Sequence, residues 1–397
     1  MSTFVSLGAL VPQICVEVDA TTDPTSPTRT WTDITPLVRT AGWTRSGRNL
    51  ELNRSTAGTL DMVCSDAGEA ITGLGLRKRQ WIRVLGKWNG VTYPRWQGVL
   101  EQKPRRWPGQ GADELVELHA ADAFKVLGLT DLDGETFAGQ RNDERVAAIL
   151  ALANLPEGSI DTDTDDADAV TEPFPDNSMA LGYLLQIEES ENGLLIANTD
   201  GTIDFQGRHW RFFNANTSLA TFGETAATIP YYDDVEYDDD DSLVGNVARV
   251  TPFGASTPVE VTNSASTARY WPTAIDRQLL SSSTPLAQSA AEYLSNRYGD
   301  PSPRIPTIRV ELAAAAHQTG GTSLVATLLA ANNSDRFTWD RAATTAISDD
   351  VYVEQIAETV DVKGGSWEMA LQLSPALDDV GWVLGTSALG VDTVLVY

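Results

Sequence analysis

Three histidines, His119, His209 and His317, are the only imidazoles the chain has for proton transfer near neutral pH, and their settings give little support to enzyme chemistry. None stands in an HExxH helix or beside a GxSxG turn, the arrangements that pair a base with zinc or with a serine nucleophile. His119 lies between Leu118 and Ala120 in a strand-like run and reads as a packed side chain. His209 opens the run His209-Trp210-Arg211-Phe212-Phe213, whose rings and cations could stack on bases or sugars; a packing cluster is the preferred reading. Carboxylate pairs for glycosidic hydrolysis can be drawn anywhere among 55 acidic residues, so they carry no information. Gly73-Leu74-Gly75 lacks the later glycine and the lysine of a phosphate loop. No catalytic residue and no cofactor are expected.

Two acidic runs raise the questions of a bound metal and of a surface that repels a polyanion. Asp161, Asp163 and Asp165, with Glu172 at the twelfth position, echo a calcium loop. The sixth position of such a loop turns on glycine and the eighth is apolar, whereas here they are Asp166 and Asp168. A solvated acidic loop and no metal site are therefore expected. Tyr231 to Asp241 holds seven acids in eleven residues. It reads either as an exposed, self-repelling loop or as an acidic patch lining a passage for DNA, with Asp238, Asp239, Asp240 and Asp241 as the candidates for the lumen. Cys15 and Cys64 sit in alternating runs and read as buried free thiols, since two cysteines cannot staple 397 residues.

The net charge of −27 is unevenly spread: residues 1–110 hold 14 Lys or Arg against 9 Asp or Glu, and the remainder 14 against 46. The basic N-terminal third suits protein neighbours. The distal two-thirds lack the cations that displace counterions from phosphate, so sequence reading of DNA is not expected. Lysine is scarce, five against 23 arginines; a GC-rich coding sequence or adaptation to brine would each produce that bias. Apolar runs such as Ala313 to Ala316 fall far short of the roughly 18 residues that cross a bilayer, and Met1 to Val11 has no cationic segment before its apolar stretch. Assembly in the cytoplasm, without membrane insertion, follows as the expectation.

The elements that must position these residues fall into three segments. Over residues 1–135 the pattern has period two, with strands at Ile14 to Val18, Leu50 to Leu52, Thr59 to Val63, Trp81 to Trp88 and Thr92 to Glu101, a turn at Asn89-Gly90 and a helix from Ala120 to Leu127. A small antiparallel barrel or sandwich fits. Residues 136–225 turn helical: Asn142 to Asn154 carries Val146, Ile149, Leu150 and Ala153 on one face. A second helix follows with Leu181, Leu184, Leu185 and Glu188 at i, i+3, i+4 and i+7, capped by Asn177 or Ser178 and ended by Gly193 in a positive-φ conformation. Leu194 to Ala197 and Thr202 to Gln206 then form a hairpin about Asp200-Gly201, the dipeptide a type I′ turn prefers. Over residues 226–397 strands return at Ala227 to Tyr232, Asn246 to Pro252, Pro258 to Thr262, Arg304 to Leu312, Asp349 to Asp361 and Trp367 to Leu373, with helices at Pro285 to Arg297 and Thr322 to Ala331. The apolar tail Thr386 to Tyr397 is expected to dock as an added strand. The fold class is β-rich α+β.

A helix closing on Glu189-Ser190-Glu191-Asn192-Gly193, an apolar strand, Asp-Gly, "IDF" and Arg208 together resemble a segment of the tail hub (minor tail) proteins of long-tailed siphovirus phages, those of actinobacteria above all. Thr30 to Val38 followed by Ser46-Gly47-Arg48 resembles that family's opening. Arg141 to Pro156, Val244 to Val250 (VGNVARV) and Val353 to Pro375 resemble three later segments in the same order. The family is similar to the central hub of contractile-tail baseplates. The resemblance implies two tube-like barrels per subunit around a small α+β domain, and a homotrimeric ring of pseudo-sixfold symmetry at the tail tip of the virion. Such a ring meets a distal tail or tube protein above and a fibre or plug below, and lets DNA pass. Because the chain stops soon after its last hub-like strands, any enzyme or receptor-binding module is expected on a separate protein. The alternative is a tail-associated hydrolase or carbohydrate-binding protein using the aromatics around Trp107 and Trp210; an acidic surface protein of a halophile is a third reading.

Overall fold

Alternation of apolar and polar residues builds strands through the first third of the chain: β1 (Gln13–Val18), β2 (Thr32–Asp33), β3 (Val38–Thr44), β4 (Thr59–Ser65), β5 (Trp81–Trp88), β6 (Val91–Gln102), β7 (Arg105–Arg106) and β8 (Leu115–Ala121). On β4, for instance, Leu60, Met62 and Cys64 are buried while Thr59 and Asp61 face water. The computed structural model describes residues 2–26, 28–109, 114–135, 137, 139–161, 179–232, 235–237, 241–342 and 346–376. Asn89 and Gly90 join β5 to β6 with φ of 47° and 84°, the two left-handed positions a type I′ turn requires. The expected strand Leu50 to Leu52 is instead a turn, closed by the Asn53 N–H on the Leu50 carbonyl. The helix expected from Ala120 shrinks to α1 (Phe124–Leu127), because β8 runs on through Ala121.

Next come α2 (Asn142–Leu152), β9 (Glu157–Ile160), α3 (Ala180–Glu191), β10 (Leu194–Ala197), β11 (Ile203–Gln206), α4 (Trp210–Asn214) and β12 (Thr221–Phe222). Helix α2 buries Val146, Ile149 and Leu150. Helix α3 buries Ala180, Tyr183, Leu184 and Ile187, so its apolar stripe is rotated from the expected one and Leu181 and Leu185 lie at its margin. The proposed caps Asn177 and Ser178 lie outside the described residues.

Two turn assignments need correction. Asn192, not Gly193, takes the left-handed conformation (φ 52°) after α3, and the Gly193 N–H returns to the Glu188 carbonyl at 2.9 Å in a Schellman-type ending. Gly193 is needed for a close approach, since a Cβ there would lie 2.4 Å from the Gln206 carbonyl oxygen. The β10–β11 connection is no two-residue type I′ turn. Ala197 pairs with Ile203, leaving five residues between them, and only Gly201 has positive φ (87°). The Gly201 N–H bonds the Asn198 carbonyl at 3.0 Å, and the Asp200 carboxylate accepts the Thr202 N–H.

The remainder comprises β13 (Val247–Thr251), β14 (Val259–Thr262), α5 (Ser264–Tyr270), β15 (Ala274–Gln278), α6 (Thr284–Arg297), β16 (Thr307–Glu311), α7 (Leu312–Ala316), α8 (Gly321–Ala330), β17 (Arg336–Arg341), β18 (Ile347–Asp361) and β19 (Ser366–Pro375). Ser283 caps α6 by accepting the Leu286 N–H, with Pro285 in the first turn. Ala227 to Tyr232, expected as a strand, makes only isolated bridges, Ile229 to Phe222 and Tyr232 to Arg309. The tail Thr386 to Tyr397 lies outside the described residues.

One sheet threads both ends of the chain in the order β12-β17-β18-β3-β4-β8-β6-β5-β1-β2, with β19 also on β18, β16 on β19 and β7 on β8. Its hinge is β18, whose Ala357–Asp361 half runs antiparallel to Thr40–Thr44 of β3. One apolar core follows this sheet and takes Leu60 and Trp96 from the first segment with Val353 and Trp367 from the last. A second core lies between α2, α3 and the sheet β10-β11-β9. A third packs α6 on the sheet β14-β13-β15. The architecture is β-rich α+β.

Candidate functional site

Ser46, Gly47 and Arg48 leave the end of β3 and enter the place where all these parts meet. Ser46 Oγ accepts the Ala197 N–H of β10 at 2.6 Å and donates to the Ala197 carbonyl at 3.1 Å. Gly47 lies so close to β18 that a Cβ would sit 2.3 Å from the Glu354 carbonyl oxygen. Arg48 donates from Nε to Glu354 Oε2 at 2.8 Å. Arg211 of α4 grips both oxygens of the same carboxylate, at 2.6 and 2.8 Å, and Ser374 of β19 donates to it at 2.5 Å. Burial alone would raise the Glu354 pKa, but Arg211 and Arg48 outweigh it and hold the group far below the usual carboxylate range.

The last turn of α3 faces the same junction and spreads its side chains over Arg54, Ser55, Asn142, Arg208 and Leu280. Glu188 accepts the backbone N–H and the hydroxyl of Ser55, and burial pushes its pKa up. Glu189 accepts from Arg54 at 2.8 Å, Ser190 Oγ from the Leu280 N–H at 2.9 Å, and Glu191 from Asn142 at 2.6 Å and Arg208 at 2.9 Å. Acids at a helix C-terminus oppose its dipole. The guanidiniums of Arg54, Arg208 and Arg277 offset that penalty, so this helix end is stable only when docked.

Four residues along β18, Glu358 repeats the device. Its carboxylate accepts five N–H groups: Arg95 Nε and Nη2 at 3.2 and 2.7 Å, Arg45 Nη2 at 3.2 Å, Trp43 Nε1 at 3.1 Å and Trp367 Nε1 at 2.9 Å. Burial is again the largest influence and would raise its pKa, yet Arg95 and Arg45 bring it below the ordinary value. Sequence reading missed Glu354, Glu358, Arg45 and Arg95. A signal existed: after the bulge between Val353 and Gln355, the inward phase of β18 reads Glu354, Ile356, Glu358, Val360, so two carboxylates share a register with core side chains.

Beside the joint opens a cleft of about 480 Å³, at the edge of the third core through Tyr298. Its lining includes Arg208, Phe212 and Phe213, Arg297 at the end of α6 with Tyr298 just beyond it, and Arg336, Tyr352 and Pro375 from β17, β18 and β19, together with Arg48 and Gly193. Phe212 and Phe213 make an edge-to-face pair at 5.0 Å and are exposed. The run from His209 is thus split: Arg211 turns inward to Glu354 while the rings stand at the rim, and none of α4 is buried.

Other residues singled out in the sequence are dispersed. His119 is not packed: it is 34% exposed on β8, with Nδ1 bonded to Asp61, because its side of the strand faces away from the core. Cys15 and Cys64 are buried free thiols, their pKa pushed by burial to about 11 and about 12. Among the described residues, no group of three or more His, Cys, Asp or Glu side chains is placed to hold a metal ion. Asp161 accepts the Gly207 N–H, and the acidic run beyond it to Glu172 lies outside the described residues. So do Asp238, Asp239 and Asp240; Asp241 is exposed. No described helix is long and apolar enough to cross a membrane.

The joint and cleft belong to a fold found in the tails of phages. The 43 kDa tail protein of prophage MuSo2 from Shewanella oneidensis is similar, with a TM-score of 0.56 at 11% identity over 92% of this chain and 97% of that one. A tail protein from Neisseria meningitidis MC58 is similar with a TM-score of 0.61 at 10% identity, over 91% and 96%. At such identities the shared property is the fold, and it extends over nearly the whole of each chain. No protein-family model matches the sequence, and no curated protein matches it.

Proposed function

We propose that the chain is a structural tail hub protein at the tip of a phage tail. The observation that carries this reading is convergence. Ser46-Gly47-Arg48, the acids of α3 and Arg208, the residues behind the family resemblance, are bonded into one junction that locks both ends of the chain to the α+β unit. That is the demand on a rigid adaptor, and it requires no chemistry of the chain itself. In this proposal segments 1–135 and 226–397 supply the two tube-like barrel surfaces and 136–225 the domain between them. Three copies form a ring of pseudo-sixfold character between a distal tail or tube protein and a fibre or plug, after assembly in the host cytoplasm. Electron cryomicroscopy of the parent particle should find three copies at the tip; one copy, or six, would overturn the reading.

Asp238, Asp239, Asp240 and Asp241 are assigned in this proposal to the wall of the passage, where negative charge keeps a moving polyanion from adhering. Changing all four to Lys should leave particles intact and slow DNA ejection. Normal ejection by those particles would return the run to a solvated loop.

A further inference from the structure

Arg45 carries a donor that the fold does not use. Its guanidinium is buried, with Nη1 donating to the Ala331 carbonyl at 2.8 Å and Nη2 to Glu358 at 3.2 Å, but among the described residues nothing accepts from Nε. Buried charged N–H groups are seldom left over, so this one points to an occupant that the chain itself does not supply. Arg45 stands in the wall of a pocket of about 140 Å³ bounded by β10, β11, α4 and the turn that enters β17. Asp335 accepts the Asn332 N–H at 2.7 Å on one oxygen, and among the described residues nothing donates to the other. Burial pushes this carboxyl up and the Arg45 charge draws it back, yet no ion pair joins the two described side chains. Asn333 spends its amide N–H groups on the Ser46 and Glu354 carbonyls at 2.7 and 2.9 Å, which leaves its oxygen. Asp204, with one oxygen on the Ser159 N–H at 2.6 Å, is also in the lining, and Trp210 and Ile196 add apolar area.

The wall itself narrows the class of occupant. A metal cation would share the pocket with the Arg45 guanidinium, and among the described residues no three His, Cys, Asp or Glu side chains are placed to hold one. An anion would face Asp204 and Asp335. A neutral ligand bearing hydroxyls meets neither objection, because each hydroxyl both donates and accepts and so suits a wall that offers a guanidinium N–H beside carboxyl and amide oxygens. Size narrows it further. The volume is far above the roughly 10–15 Å³ that one water needs, and below the roughly 300 Å³ at which sites for larger ligands begin. We propose that this pocket binds one neutral sugar ring, its hydroxyls on Arg45, Asp335 and Asn333 and its C–H face on Trp210. An aromatic ring offers such a face apolar area without taking a hydrogen bond from it. This inference does not depend on the hub reading.

The test uses the full chain and saturation-transfer NMR with glucose, galactose, mannose, N-acetylglucosamine and, as the charged comparator, glucuronate. At least one neutral sugar should bind with a Kd on the order of 1 mM, and glucuronate at least about tenfold more weakly than that sugar. Equal binding of its methyl glycoside would assign the pocket to the end of a glycan, and loss of binding on methylation to a free sugar. Trp210→Ala should weaken binding about tenfold. Asn332→Trp fills the pocket from an exposed position and should abolish binding even if Trp210→Ala disturbs α4. Phe213→Ala, outside this pocket, should change nothing. No binding by any neutral sugar would leave the pocket to water only and overturn the assignment, as would glucuronate binding as tightly as the neutral sugar, or binding that survives Asn332→Trp.

Discussion

Replacing Glu358 by Gln tests whether β18 holds the molecule together. The substitution keeps the side chain's shape but removes the carboxylate that, among the described residues, pairs with both Arg95 and Arg45, so two buried guanidiniums face an amide that can accept at one atom. Breaking one partner out of a buried ion pair costs about 3–5 kcal/mol, because the desolvated charge left behind is uncompensated. With an unfolding entropy of roughly 2.1 cal/mol/K per residue, a chain of 397 residues has about 0.8 kcal/mol/K, and the melting temperature should fall by about 4–6 °C. Arg54→Ala is the control. It breaks the pair with Glu189, but Arg54 is 51% exposed, so the loss should stay under about 1 kcal/mol, or about 1 °C. Scanning calorimetry reads both. Equal shifts, or a Glu358→Gln shift within about 1 °C of wild type, would refute the reasoning. The cations themselves should differ: Arg45 has an Nε–H without an acceptor, and burial with Arg95 nearby pushes it down to about 9, whereas Arg95 makes two bonds to Glu358. Arg45→Met should therefore cost about 2 kcal/mol less than Arg95→Met.

Acidity should tune stability in two directions. Burial pushes Asp122 up to about 7 against N–H bonds from Gly58 and Phe124, so its contribution is complete below about 3.8 and is lost as pH rises to 7. Glu354 and Glu358 are held low, so theirs is complete above 4.5 and lost as pH falls below it. Stability against urea should crest near about pH 5 and decline toward 7, and Asp122→Asn should lessen that decline; an unchanged slope in the variant would disprove the Asp122 assignment. Gly47→Ala forces a Cβ to 2.3 Å from a backbone oxygen of β18 and should lower the melting temperature by several degrees, whereas Gly68→Ala, with open space around it, should cost about 1 kcal/mol for its positive φ alone. Trp271 is 82% exposed at φ 65° and ψ 153°, its carbonyl held by buried Asn246. Trp271→Gly should relieve about 1 kcal/mol of backbone strain and raise the melting temperature slightly; a drop would mean the side chain packs more than its exposure implies.

What was legible in the sequence was whatever the chain decides within a few residues. Asn89-Gly90 specifies its own turn, Pro285 marks the first turn of α6, and Val146, Ile149 and Leu150 declare the buried face of α2. Partnership across the chain was not legible. Nothing local states that Thr40–Thr44 pairs with Ala357–Asp361, and the same Asp-Gly signal that suggests a type I′ hairpin at Asp200-Gly201 is overridden by the register Ala197 to Ile203. Leu50 to Leu52 alternates like a strand but turns, and it is Glu51, paired with Arg304, that is buried rather than the leucines.

The candidate site announced itself through violations of local rules. Three acids crowd the end of α3, where the helix dipole is already negative, and two glutamates occupy the inward phase of a strand otherwise filled by Ile356 and Val360. Each arrangement is unfavourable in an isolated element and favourable only once a distant arginine arrives: Arg54 and Arg208 at the helix, Arg48, Arg95 and Arg211 at the strand. A local conflict resolved by a long-range partner makes docking selective, since a wrongly docked segment would leave a buried charge unpaired at about 3–5 kcal/mol. The joint can therefore reject misassembled arrangements of the same three cores, which a purely apolar junction of equal area would tolerate.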